Sequence, residues 1–194
     1  DIEGGDSENL IDYVDEYGVN HGQGVKIGET VWAPVNCGYH ATDFKYGKLY
    51  QWGRKYGQGY FTDSVKPTIE EGPVSLDYGQ SESKANVFFT SSSYYIFDWL
   101  STVNNKLWNS GTESSPVKTD YDPCPKGWRV PTITELDKLN DHYSSWTELE
   151  GKKGYYLSGG NAYSDGISSV FLSAAGVREA DGYACCRDYL GYYW

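Results

Sequence analysis

The segment from Tyr121 to Leu139, YDPCPKGWRVPTITELDKL, constrains the fold more than any other stretch of this 194-residue chain. Pro123 and Pro125 fix the backbone on either side of Cys124, Trp128 is large enough to anchor a core, and a well-signalled helix start follows. Pro131 breaks whatever precedes it, Thr132 can accept from the amides of a first helical turn, and Glu135, three residues on, can reach back to complete a capping box. The helix is therefore expected to begin at Thr132 or Ile133. Ile133, Leu136 and Leu139 then fall at i, i+3 and i+6, with Tyr143 a turn further on. They form one apolar stripe, while Asp137, Lys138 and Asp141 face water. The pattern predicts a short amphipathic helix lying on a sheet.

Around this segment the chain reads as short strands and long loops. Residues 1–16 carry Asp1, Glu3, Asp6, Glu8, Asp12, Asp15 and Glu16 with no basic residue, the composition of a solvated acidic linker that tethers the domain to something upstream. From Tyr17, the apolar positions Val19, Val25, Ile27, Val31 and Trp32, punctuated by Gly22, Gly24 and Gly28, predict hairpins with glycine turns. Asn36 to Pro73 reads as an irregular excursion rich in Gly, Tyr and Lys, with at most a short strand or helix. A second excursion, Val74 to Tyr121, holds a strand at Val87 to Phe89 and a weak helix over Tyr94 to Leu107, ended by the Asn, Ser and Gly cluster Asn109 to Ser115. Tyr155 to Ser158, Ser169 to Ala174 and Leu190 to Trp194 are the later strand candidates, with loops at Gly159 to Gly166 and Arg178 to Tyr189.

A net charge of -11 argues against a nucleic-acid partner, which needs clustered Lys and Arg, and disfavours anionic lipid surfaces. No apolar run approaches a membrane span, so no direct membrane insertion is expected. The sequence has no methionine, which points to a processed or excised form whose signal peptide, if it had one, is gone. Mean hydropathy is -0.62, low for a packed domain, and the 16% aromatic fraction supplies the missing area because each ring buries so much. Nineteen tyrosines suit a recognition surface equally as well as the packing of strand faces.

Three segments together resemble one family. DPCPKGWRVPTITEL, Asp122 to Leu136, is similar to the signature of the Fibrobacter succinogenes major paralogous domain, a family of bacterial surface and secreted proteins. GETVWAPVNCGY, from Gly28, and YGKLYQWG, through Trp52, resemble its opening strands. FLSAAGVREADG and RDYLGYYW, Phe171 to Trp194, resemble its C-terminal half. The resemblance implies an α+β, C-type-lectin-like fold: a mixed or antiparallel sheet with one or two short helices and long irregular loops, here over residues 17–194. It also implies an exported protein, extracellular or at the outer-membrane surface, tethered to an upstream domain or lipid anchor. Members of that family usually continue past the YW of the last strand with further β-structure, so the final strands are expected to be missing here and the edge at Leu190 to Trp194 to want a partner strand.

Four cysteines, Cys37, Cys124, Cys185 and Cys186, suit an oxidising compartment and show no zinc-site spacing. Cys37 and Cys124 sit in the two loops that carry motif residues and are candidates for a disulfide that would staple the N-terminal sheet to the helix loop. Free buried thiols fit as well. Cys185 and Cys186 are adjacent, and a bond between them would need a strained ring.

The search for chemistry yields little. His21, His40 and His142 lack any metal spacing, YLSGG (Tyr156 to Gly160) lacks the glycine of a nucleophile elbow, and Gly22, Gly24 and Gly28 sit between strands with no helix to present to a phosphate. Abundant Asp and Glu leave a glycoside-type hydrolase as the third reading. The lectin-like fold also houses formylglycine-generating oxidases, but their cysteines are separated, whereas Cys185 and Cys186 are adjacent with only Arg187 close by. The Glu-Pro-Asn, Gln-Pro-Asp and Trp-Asn-Asp triplets of calcium-dependent lectins are absent. No catalytic residue, metal ligand or cofactor is therefore assigned. The expected ligand surface is the loop Glu179 to Tyr189, where Asp181, Tyr183, Arg187, Asp188 and Tyr189 combine aromatic area with charge. The bland alternative makes Arg187 and Asp188 a structural pair. The expected function is a non-enzymatic, adhesin-like module that recognises a glycan or a surface protein. A structural module of a surface assembly, such as a pilus tip or lipoprotein, comes second.

Overall fold

The computed structural model describes residues 10–40, 45–59, 67–91, 98–140, 143–158 and 169–193. Its elements are short and its sheets small, an α+β arrangement in which loops carry much of the chain. Near the N-terminus, β1 (Asp12–Val14) pairs antiparallel with β2 (Asn20–Gln23), and β3 (Val25–Ile27) with β4 (Thr30–Trp32). Gly28, at φ 61°, takes the left-handed turn of the second hairpin at no side-chain cost. These are the glycine-punctuated hairpins that the alternation predicts.

The acidic stretch does not stay a solvated linker as far as residue 16. Tyr13 is 2% exposed and rests against Trp128, with ring centroids 5.5 Å apart. The Trp128 indole donates to the Asp12 carbonyl at 3.2 Å. Asp15 accepts the Tyr17 and Val19 amides and pairs with His21 at 2.7 Å. One buried aromatic and one carboxylate spent on a turn outweigh the charge density that suggested disorder. Residues 1–9 lie outside the described residues.

The middle of the chain builds a separate cluster. Strand β5 (Thr68–Glu71) runs parallel to β6 (Val87–Thr90), joined through α1 (Leu76–Gly79), whose N-cap is Ser75, and a 3-10 turn at Glu82–Lys84. Val87, Phe89, Trp99, Leu100 and Leu107 pack together. Arg54 is fully buried among them, donating to the Val87 and Lys84 carbonyls at 3.1 and 2.9 Å and lying 4.8 Å from the Phe89 ring centre and 5.2 Å from that of Trp99. Carbonyls and ring faces stand in for the lost water. The helix expected over Tyr94 to Leu107 is not found at residues 98–107, and residues 94–97 lie outside the described ones. Asp98 accepts the Leu100 amide and Asn104 the Lys106 amide, local bonds that compete with a helical ladder.

Asp122 folds the proline-rich loop that follows. Its carboxylate takes the Cys124 amide and the Lys118 ammonium on Oδ1, at 2.8 and 2.7 Å, and the Val130 amide on Oδ2 at 2.8 Å. The next helix, α2 (Ile133–Asn140), starts where the sequence predicts. Glu135 N donates to Thr132 Oγ1 at 3.3 Å and Thr132 N to Glu135 Oε2 at 2.8 Å, the reciprocal pair of a capping box.

The packing of α2 differs from expectation. Leu139 is 3% exposed and joins Ile27, Leu157 and Val170 in a second core cluster, but Ile133 is 66% exposed. An eight-residue helix meets the sheet through its C-terminal half only, so the stripe runs out at its N-terminal end. Tyr143 does not continue the helix either. It begins β7 (Tyr143–Leu149), which with β8 (Lys152–Ser158) and β9 (Ser169–Ser173) forms an antiparallel sheet in the order β7-β8-β9. A short hairpin, β10 (Val177–Arg178) with β11 (Ala184–Cys185), follows. Leu190 to Tyr193 is not a strand: Gly191 makes a single bridge to Gly176, and Trp194 lies outside the described residues.

Candidate functional site

The expected ligand loop folds as a pinned hairpin. Arg178 donates to the Gly182 carbonyl at 2.8 Å, Gly182 N to Glu179 O at 2.9 Å, and Glu179 N to Tyr183 O at 2.8 Å. Asp181 Oδ1 accepts the Tyr183 amide at 2.8 Å, so its carboxylate closes the turn. Gly182, at φ 87°, lets the hairpin sit on the middle cluster, where an added Cβ would meet Ile69 Cδ1 at 2.9 Å.

Beyond the hairpin the chain doubles back. Cys185 and Cys186 have their sulfurs at disulfide distance, so the adjacent pairing that the sequence reading disfavoured is the one observed. Cys186 and Asp188 both take positive φ, 70° and 68°, backbone conformations that cost a non-glycine residue about 1 kcal/mol or more each. The surroundings hold them there. Asp188 N donates to the Ala174 carbonyl at 2.9 Å, and Leu190 N to that of Cys186 at 3.1 Å. Tyr46 OH donates to Asp188 Oδ1 at 2.5 Å. Arg187 lies 5.7 Å from the centre of the Tyr46 ring and 3.8 Å from Asp188 Oδ2. Burial, reinforced by the bond to Asp188, pushes the Tyr46 phenol up to about 12.

The five expected site residues therefore divide. Asp181 serves its own turn, and Arg187 and Asp188 lie against each other and against Tyr46. Tyr183 and Tyr189 are 67% and 82% exposed, and Tyr192, from the following segment, is 67% exposed. Three phenol rings project from backbone that is tied down on both sides.

Tyr192 also stands at the edge of two cavities. One, of about 620 Å3, lies under the N-terminal hairpins and the 121–131 loop, and its walls include Tyr13, Trp32, Cys37, Cys124, Trp128 and Leu136. The other, of about 640 Å3, is walled by Tyr50, Trp52, Phe88, Trp99 and the start of the β10–β11 hairpin. In the first, the Tyr13 hydroxyl and the Trp32 indole N–H are shielded from solvent without a hydrogen-bond partner. No family model matches this chain, and no curated protein or solved structure matches it.

The titratable groups describe structural pairing. Asp15, against the burial that would raise it, is held low by His21 and two amides. Glu70 and Glu135 are held low by Lys84 and Arg129. Each of these carboxylates is kept ionised by a partner, the opposite of a general acid poised near neutrality. Among the described residues no three His, Cys, Asp or Glu side chains come together as a metal site would require. His142 lies outside them.

Sequence reasoning missed a second aromatic surface. Trp146 and Tyr155 face each other across β7 and β8, ring centroids 5.1 Å apart, and are 44% and 49% exposed. The signal was the pair of short apolar-polar runs on either side of Glu150–Gly151, which reads as a hairpin once Tyr143 is released from the helix. It also missed Tyr46, the hub of the Arg187–Asp188 clamp, for which no local pattern exists.

Proposed function

We propose that this chain is a non-enzymatic, adhesin-like binding module of an exported protein, with a C-type-lectin-like fold, that recognises a glycan through exposed tyrosines. The observation that carries the reading is the contrast within one short segment. Tyr183, Tyr189 and Tyr192 are open to solvent, while the backbone between and beside them is held by the Arg178–Gly182 bond, the Tyr46–Asp188 bond and the adjacent cysteines. Rigid aromatic rings bring contact area at small entropic cost, and a phenol face suits the C–H face of a sugar ring. Asp181 and Asp188 are committed to a turn amide and to Tyr46, which favours stacking over a bound cation as the mode of recognition.

A glycan array probed with the full chain, with and without chelator, tests this. The expected result is binding that survives chelation and is lost in a Tyr183→Ala/Tyr189→Ala variant. A variant that binds as well as the parent would remove this surface from the account. Specific retention of a neighbouring surface protein, with no glycan bound, would favour the structural-module reading instead.

A further inference from the structure

We propose that Cys37 and Cys124 are a redox-active dithiol that closes to a disulfide in the wall of the cavity beneath the N-terminal hairpins. The fold brings the two together from distant segments that both line that cavity. Cys37 follows β4, and Cys124 sits in the loop that Asp122 folds by taking its amide. Cys37 Sγ lies 3.4 Å from the Pro123 carbonyl, on the residue preceding Cys124, and 3.1 Å from the Tyr50 hydroxyl. Cys124 stands close enough to Cys37 for each thiol to shift the ionisation of the other. Both are free, and both line the cavity of about 620 Å3, which gives a small reagent a route to them. The other two cysteines are already at disulfide distance from one another and do not compete as partners.

The surroundings make the two sulfurs unequal. Cys124 and the Tyr50 hydroxyl beside it outweigh burial and lower the Cys37 thiol below its ordinary range. The bond to Cys37, burial and the charge on Cys37 raise Cys124 well above it. The thiolate is the nucleophile in disulfide exchange, so the first attack belongs to Cys37. With a disulfide such as oxidised glutathione as the oxidant, Cys37 sulfur bonds to one glutathione sulfur and the second glutathione leaves as thiolate. That thiolate takes up the proton lost from Cys37. Cys124 then gives its proton to the departing glutathione as its sulfur displaces it from Cys37. Two protein thiols are oxidised and one disulfide is reduced to two thiols.

The experiment is peptide mapping of the full chain without reductant after equilibration in a glutathione redox buffer, beside a Cys124→Ser variant whose folding is checked by near-ultraviolet circular dichroism. The parent is expected to yield a Cys37–Cys124 cross-linked peptide and to retain no glutathione. Cys124→Ser should trap one glutathione on Cys37, and in the reduced parent, where both thiols are present, a limiting pulse of iodoacetamide should label Cys37 at least ~10-fold faster than Cys124. Two alkylatable thiols in the equilibrated parent, or Cys37 linked to Cys185 or Cys186, would overturn the pairing, and these outcomes need no variant. Equal labelling of the two thiols in the reduced parent would overturn the assignment of the attacking sulfur.

Discussion

Glu135 holds Arg129 with both carboxylate oxygens, at 2.6 and 2.8 Å, while the same carboxylate accepts the Thr132 amide. One side chain therefore fastens the 121–131 loop to the start of α2. The Arg129 hydrogen bonds hold the Glu135 carboxyl below its ordinary value of 4.5. A carboxylate depressed in the folded state contributes stability that is complete above its unfolded pKa and is lost as the pH falls through the folded one. Thermal melts across roughly pH 3 to 6 should show the parent losing melting temperature more steeply on acidification than Glu135→Gln. Parallel curves would show that the pair contributes nothing.

The two ends of the α2 stripe should respond oppositely to truncation. Leu139→Ala empties a position packed by Ile27, Leu157 and Val170 and should cost ~2–5 kcal/mol. Ile133→Ala, at a site 66% exposed, should change stability by about 0.5 kcal/mol or less. Urea titration of the two variants measures both, and equal costs would contradict the packing described.

Asp122 is the tie of the proline-rich loop. Its side chain is 1% exposed and satisfies three donors, so Asp122→Ala strands the Cys124 and Val130 amides and leaves the Lys118 ammonium only the Asp122 and Cys124 carbonyls. A loss of about 3 kcal/mol or more is expected, again read by urea titration. A loss under about 1 kcal/mol would mean that the loop keeps its shape by its prolines alone.

The parts of the fold legible in the sequence are those whose signals are local. The Thr132–Glu135 capping box, the glycine-turned hairpins from residue 20 to 32 and the strand at Val87 each announce themselves within a few residues. What was illegible depends on distant partners. Arg54 carries no local signal of its fate: it is fully buried, and the carbonyls that satisfy it come from residues 84 and 87. Ile133 continues a perfect helical stripe, but whether a stripe is covered depends on how far the sheet extends beneath it. A bond between the adjacent cysteines was read as needing a strained ring, and only the bond from Tyr46 to Asp188 and that from Asp188 to the Ala174 carbonyl show what holds such backbone in place. In the candidate site the tyrosines were legible as types. Which residues were free and which were structural was not, since Tyr46 lies 142 residues from Asp188.

The central claim is that rings projecting from a fastened loop grip a partner without transforming it. Calorimetric titration of a glycan selected from the array, in chelator, against the parent and the Tyr183→Ala/Tyr189→Ala variant tests it most directly. Affinity is predicted to fall by ~10-fold or more with the melting temperature unchanged and the glycan recovered intact. Equal affinity for parent and variant, or a cleaved glycan, would contradict it.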